Sequence, residues 1–341
     1  MNREQINRII REKAVPHPTQ TIRLVETHIS WVLLADRDVY KIKKPLRFSF
    51  LDFSTLEKRG QYCGLEVTLN RRLAPGMYLG VLPLKEQGGT IRIGEGEGTL
   101  VDYAVWMRRM DEGQQMDVLL EAGGVGQAAV RELADMLADF HGRARKVQEA
   151  ETWEELYAEF EDISTVSGWL GKHFGKETDH LVTEVNGWAR RFLESISGRI
   201  EERKAMGFVV EGHGDLHSRN IFLLNPPVIF DCIEFNEALR TLDVLSEVGF
   251  LCMDLERFGR ADLADAFMER YQQRTRCLRD ATDRQLFLFY KLYRANVRLK
   301  VHALQLQKGL VSGATREMEL KRVSEYLRLF RGYFEEGKGF V

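Results

Sequence analysis

The sequence predicts an α+β protein of two lobes, a small antiparallel-sheet lobe with one main helix followed by a larger, mostly helical lobe. Three observations carry this. Up to Met107, short runs of β-branched and aromatic residues alternate with turn-prone polar residues. Beyond Met107 the apolar residues fall on a 3.6-residue period. One strand-rich insert, FVVEGHGDLHSRNIFLLNPPVIFDCIEF at 208–235, interrupts the helices. The lobes are expected at 1–106 and 107–341, with a hinge near 106–112.

In chain order, TIRLVE (21–26), ISWVLLA (29–35) and DVYKIK (38–43) read as strands of one sheet. A helix follows, opened by Ser54 and Glu57 as a capping box and running through Leu56, Cys63, Leu69 and Leu73 until Pro75-Gly76 ends it. YLGVLPL (78–84), TIRIG (90–94) and TLVDYAVWM (99–107) are further strands, with GEGEG (94–98) expected as a hairpin connection. Val130, Leu133, Leu137 and Phe140 then mark one face of a helix that ends near His141-Gly142. The insert reads as strand, loop, strand, Pro-Pro turn, strand.

Composition narrows the function classes. The 341 residues are 44% hydrophobic, and 49 basic against 51 acidic residues give a net charge of -2. No global field recruits nucleic acid or an anionic membrane, so neither is expected as a partner. The first eighteen residues are charged throughout and carry no apolar core, which predicts a cytoplasmic protein. Cys63, Cys232, Cys252 and Cys277 lie far apart without metal-ligand spacing and are expected as buried, reduced thiols.

The segment GHGDLHSRN (212–220) places ionisable side chains between two apolar runs. Asp215 and Asn220 are five apart, and Asp231 follows eleven residues later at the end of the apolar strand PVIF. A hairpin between those loops would gather oxygen ligands as phosphoryl transfer from ATP requires: a carboxylate to accept a hydroxyl proton, then an amide and a second carboxylate for Mg²⁺.

His213-Gly214-Asp215, Asn220 and Asp231 resemble the catalytic loop and metal strand of the aminoglycoside phosphotransferase and choline kinase branch of the protein-kinase-like superfamily. The resemblance implies a protein-kinase-like two-lobe fold, with ATP and Mg²⁺ as cofactors and a small-molecule hydroxyl as acceptor. It implies Asp215 as catalytic aspartate within the loop of His213, and Asn220 and Asp231 as metal ligands. It also calls for a strand lysine and a helix glutamate in the first lobe. Lys41 with Glu66 is the favoured pair, with Lys43, on the same strand face, as the alternative. Trp106 to Met110, Trp106 and Met107 first among them, are expected at the adenine hinge through backbone contacts. Arg219 is assigned to neutralising Asp215 or the transferred phosphoryl, with a solvated arginine as the other reading. Glu234 is left open between a second metal and the acceptor.

The stretches VYKIKKPLRFSFLDFSTLEKR and VIFDCIEFNEALRTLDVLSEVGFLCMDLE are similar to a bacterial subfamily of unassigned substrate, many members of which carry a further P-loop kinase domain. GKHFGKET (171–178) is not a Walker A motif, because three residues separate its glycines where four are required. The expectation is therefore the first domain alone, with a separate P-loop kinase as partner. No glycine-rich G-x-G-x-x-G lies between the first strands, and Glu247, four after Asp243, replaces the family's second aspartate in a structural role. Two rivals are set beside this reading. A metallophosphoesterase would use His213, Asp215 and His217 as ligands but needs Gly-Asn-His and a further Asp-x-His, which are missing. A nucleotide-binding pseudokinase would have lost Asp215 or Asp231. Arg294 and Arg298, one helical turn apart, are read as solvated charges, with an anionic acceptor pocket as the alternative.

Overall fold

The computed structural model of the chain describes residues 1–48, 51–149, 151–310 and 312–341, so Ser49 and Phe50 of the family-like stretch lie outside the described residues. The elements up to the insert are α1 (Arg3–Glu12), β1 (Arg23–Glu26), β2 (Ser30–Leu34), β3 (Asp38–Lys43), β4 (Arg47–Phe48), β5 (Leu51–Asp52), α2 (Leu56–Asn70), β6 (Tyr78–Gln87), β7 (Thr90–Ile93), β8 (Thr99–Arg108), α3 (Met116–Glu121), α4 (Gln127–Arg143), α5 (Trp153–Glu161), α6 (Ser164–Phe174), α7 (Lys176–Ser195) and α8 (Ser197–Ala205). There follow β9 (Val209–Glu211), β10 (Ile221–Phe222), β11 (Val228–Ile229), β12 (Thr241–Asp243), α9 (Val244–Arg257), α10 (Ala261–Thr275), α11 (Ala281–Gln307) and α12 (Gly313–Gly337). They cluster into two units, Met1–Leu119 with Arg219–Leu239, and Leu120–Ser218 with Arg240–Val341.

In the first unit an antiparallel sheet runs in the order β1-β2-β3-β8-β6-β7. Strand parity sorts its side chains. Tyr40 and Ile42 of β3 pack with Trp31, Leu33 and Ala104 on one face, where α1 adds Ile6 and Ile9. Val39, Val105 and Met107 point to the other face and meet Cys63 and Val67 of α2. Each such buried apolar side chain contributes about 1.5–3 kcal/mol. Phe222 joins that second cluster, and its ring stacks on Phe230 at 5.0 Å across the β10–β11 hairpin.

Two sequence expectations need correction here. Thr55, not Ser54, caps α2: its hydroxyl accepts the Lys58 N–H, while Ser54 turns to the Asp52 carboxylate. GEGEG closes no hairpin, because β7 and β8 both pair with β6 and not with each other. The tight hairpin is instead Gly88-Gly89 between β6 and β7, where φ of 59° and 80° demands glycine.

The second unit is mostly helical. α4 packs on α10, and the long α11 packs on α9 and α12. β9 and β12 form a short antiparallel ladder that pairs Glu211 with Thr241 and Val209 with Asp243. Asp243 caps α9 through the Leu245 N–H and receives two nitrogens of buried Arg203 at 2.6 and 2.8 Å. All four cysteines are buried, and none forms a disulfide. Among the described residues, no helix is long and apolar enough to cross a membrane.

Candidate active site

In the first unit the two-residue strand period puts Lys41 and Lys43 on the same sheet face as Val39, toward α2. Glu66 of α2 is fully buried opposite them and engages both. Lys41 Nζ lies 2.8 Å from Glu66 Oε1 and 2.8 Å from Asp231 Oδ1. Lys43 Nζ donates to Glu66 Oε2 at 2.6 Å and to Glu234, and sits 4.8 Å from the Phe53 ring. Each glutamate oxygen thus takes one lysine.

Lys41, Lys43 and Glu66 hold one another ionised. Burial disfavours the charged form of Lys41, but Asp231, Glu66 and Glu234 outweigh it and raise its pKa well above the usual lysine value. Lys43 is raised in the same way, burial again opposing and Glu234 and Glu66 prevailing. Burial pushes Glu66 up, yet Lys41 and Lys43 override it and hold the carboxyl down at about 2. Glu234 moves the other way, raised chiefly by burial.

Backbone groups fix the segment after β11 to α2 and β6. Asp231 adopts a left-handed φ of 65°, and its N–H donates to the Tyr78 hydroxyl at 3.2 Å. The Cys232 N–H donates to Asn70 Oδ1 at 2.9 Å, and Asn70 donates to the Glu66 carbonyl at 2.9 Å. The Asn220 carbonyl accepts the Phe230 N–H at 2.9 Å, so Asn220 and Asp231 leave the same end of the β10–β11 hairpin. Lys41 and Lys43 face three carboxylates, of which Asp231 is the open one, with its side chain 46% exposed. Oxygen donors in excess over local cations fit Mg²⁺, and Asn220 and Asp231 are the residues that would hold it.

Arg219 belongs to the same unit, half-exposed, with Nε 3.7 Å from Asp117 Oδ2 and its carbonyl accepting from Gln115. Trp106 and Met107 sit inside the sheet ladder, paired with Tyr40 and Val39 on one side and Gly80 and Tyr78 on the other. The Trp106 indole donates to Asp38 at 2.7 Å on the face away from Lys41, whereas Met107 lies with Val39 on the lysine face. The Arg108 and Arg109 amides are used by the Met77 and Arg37 carbonyls, so the connection free of the sheet begins at Met110.

In the second unit the Gly212–Ser218 turn is held from below by Glu247 of α9. Its Oε1 accepts the His213 and Gly214 N–H groups at 2.8 and 2.7 Å, and its Oε2 meets His141 Nε2 at 2.7 Å. His141 continues to the Tyr271 hydroxyl at 2.7 Å. A Cβ on Gly212 would stand 2.4 Å from Glu247 Oε2, which explains the glycine. His213 is buried and takes the Asp215 N–H on Nδ1 at 3.3 Å, a positioning contact. Ser218 closes the turn on Asp254. Asp215 itself keeps its side chain 34% exposed, with His217 Nε2 3.3 Å from Oδ2. Burial works to raise the Asp215 pKa, but His217, Arg298 and His213 together depress it, so the carboxylate stays ionised.

Comparison with known proteins decides the family. Residues 85–282 match the model of the phosphotransferase enzyme family. The chain belongs to that family. Two uncharacterized mycobacterial proteins, from Mycobacterium tuberculosis and Mycobacterium bovis, are each 36% identical over 298 residues, covering 83% of this chain and 55% of theirs. The chain thus spans about half the length of the curated relatives it matches. Among solved structures, a choline kinase from Cryptosporidium parvum superposes with a TM-score of 0.55 at 11% identity, covering 98% of this chain and 97% of that one. A thermostable mutant of the aminoglycoside phosphotransferase APH(4)-Ia gives 0.52 at 13% identity, covering 98% and 99%. These likenesses show the protein-kinase-like α+β fold of the phosphotransferase family.

Proposed function

We propose that this phosphotransferase moves the γ-phosphoryl group of ATP to a hydroxyl of a small molecule. The observation that carries the reading is one strand lysine, Lys41, bonded at once to a buried helix glutamate and to a solvent-open aspartate in left-handed backbone. A structural ion pair needs no third, exposed carboxylate.

In this reading Lys41 turns its ammonium to the nucleotide phosphates while Glu66 holds it, and Asn220 and Asp231 take the divalent ion. Held by Asn220 and Asp231, Mg²⁺ would supply neutralisation of the phosphate charge. Asp215 orients the acceptor hydroxyl. The hydroxyl oxygen forms a bond to the γ-phosphorus, the bond to the β,γ-bridging oxygen breaks, the proton passes to Asp215, and ADP leaves with the bridging oxygen. A depressed aspartate pKa suits an orienting group that receives the proton late, as bond-breaking completes. His213 positions the turn, and the adenine edge falls to the Met110 end of the expected 106–110 hinge. Arg219 is left as a charge on Asp117.

Calorimetric titration with ATP tests this, with and without Mg²⁺, on the wild type, Asp231→Asn and Lys41→Met. Binding that requires Mg²⁺ and weakens at least about ten-fold in either variant is expected from the loss of a charged contact. Wild-type affinity in both variants would overturn the site.

A further inference from the structure

Resting on the phosphotransferase reading, the structure carries a statement about the acceptor. Arg294 and Arg298 lie one turn apart on α11, so their side chains share a face. Arg294 is 9% exposed. Its nitrogens reach only Ser246, the hydroxyl at 3.1 Å and the carbonyl at 3.4 Å, and its guanidinium lies 5.0 Å from the centre of the Phe250 ring. Arg298 reaches His302 Nε2 at 3.3 Å and lies 5.8 Å from the Tyr326 ring, while its buried Nε has no hydrogen-bond partner. Among the described residues, no carboxylate stands within ion-pair distance of either guanidinium.

The neighbouring acids are already committed. Glu319 serves His302 and Arg322, Asp254 serves Ser218 and Arg257, and Glu159 takes the Tyr293 hydroxyl. Burial, reinforced by Glu159 and Glu155, pushes the Glu151 carboxyl up to about 8, so at neutral pH it does not neutralise Arg294. Arg294, with no carboxylate at ion-pair distance, is a costly cation to bury in a resting fold; burial also opposes the Arg298 charge, but Tyr326 and the more distant Asp215 and Asp254 outweigh it and raise its pKa. Such a cost is retained where a ligand supplies the missing charge.

Their place points to that ligand. The Phe250 ring under Arg294 meets the His217 ring at 5.4 Å, and His217 lies 3.3 Å from Asp215. The arginine face therefore adjoins the side of the turn from which the Asp215 carboxylate emerges.

We propose that Arg294 and Arg298 form the acceptor subsite and that the acceptor is a hydroxyl compound bearing an anionic group, a carboxylate or a phosphate. Planar guanidinium forks suit either group. The phosphorylated product then carries one more anion than a substrate that is already anionic. A polycationic aminoglycoside or a choline-like ammonium is excluded as acceptor by repulsion from the same pair.

The test uses matched probes with ATP and Mg²⁺: D-glycerate and glycerol 3-phosphate against glycerol and serinol, and D-gluconate against D-glucose and D-glucosamine. ADP formation and direct calorimetric binding are both read, and the carboxylate and phosphate arms separate the two anion sources. The anionic member of each set is expected to bind and turn over at least about ten-fold better than its neutral or cationic partner, the scale of a charged hydrogen bond. Arg294→Gln and Arg298→Gln should erase that ratio mainly through KM, and Arg294→Lys should restore part of it. Arg294→Met should leave the melting temperature unchanged or higher, whereas a purely structural arginine would lower it.

Preference for the neutral or cationic probes, or an intact ratio in Arg294→Gln, overturns the proposal. So does a fall in kcat alone in Arg298→Gln, which would mean that this arginine serves only Asp215. If the glutamine variants fail to fold, the wild-type melting shift with D-glycerate or glycerol 3-phosphate against glycerol decides. Intact Mg²⁺-dependent ATP binding beside a failed anion preference sinks this inference and leaves the kinase reading standing; absent ATP binding beside retained anion binding sinks the kinase reading and, with it, the acceptor role of this anion site.

Discussion

Glu247 shows how a single side chain can hold a whole turn in place. Burial raises its pKa, but the His141 hydrogen bond and charge, His213 and the Gly214 N–H hold the carboxyl at about 2 against an ordinary value of 4.5. A carboxyl depressed on folding adds stability that is complete above pH 4.5 and is lost as the pH falls toward about 2. The linked contribution at neutral pH is ~3 kcal/mol. Glu247→Gln should lose ~2–4 kcal/mol in urea unfolding at neutral pH and show a shallower acid slope. Wild-type stability with an unchanged acid slope would remove Glu247 from this role. Its identity as a structural acid four after Asp243 was legible in the sequence. Its partner His141, in α4, was not, because no local pattern ties residues more than a hundred positions apart.

At the scale of elements, β3, α2 and the segment after β11 are tied by charge as well as by packing. Lys43 is fully buried between Glu66 and Glu234. Lys43→Met should cost ~3–5 kcal/mol, because it leaves Glu234 buried without its ammonium. Lys43→Met combined with Glu234→Leu should recover most of that loss. Additive costs in the double mutant, read by urea unfolding, would show that the pair is not a unit. Strand parity placed Lys41 and Lys43 on one face, and only the family pattern favoured Lys41; in the fold Glu66 pairs with both, and what separates them is the second carboxylate, Asp231 for Lys41 and Glu234 for Lys43. GEGEG was misread for a related reason. Glycine-rich turns signal a reversal, but which strand the chain pairs with afterwards is a long-range outcome, and β6 separates β7 from β8.

For the molecule as a whole, the α+β class and the family motifs were legible because both rest on local periodicity and short spacings. The unit boundaries were not. The sequence suggests a break at 106/107, whereas the compact units divide after Leu119, and the segment Arg219–Leu239 clusters with the first unit. That return follows from Phe222 packing with Val39, Cys63 and Met107, a contact between residues remote in sequence. It also places Asn220 and Asp231 in the unit that holds Lys41. In the proposed reaction, phosphoryl transfer depends on Asp215. The measurement that tests it most directly is the ³¹P NMR spectrum of ATP and Mg²⁺ incubated with the hydroxyl-compound probes and either wild type or Asp215→Asn. Wild type should deplete the γ-phosphate signal and build a phosphate monoester beside ADP, while Asp215→Asn should bind Mg²⁺–ATP normally and be slower by about 100-fold or more. Equal rates in the two proteins, or an untouched γ-phosphate in a wild type that binds Mg²⁺–ATP, would contradict it.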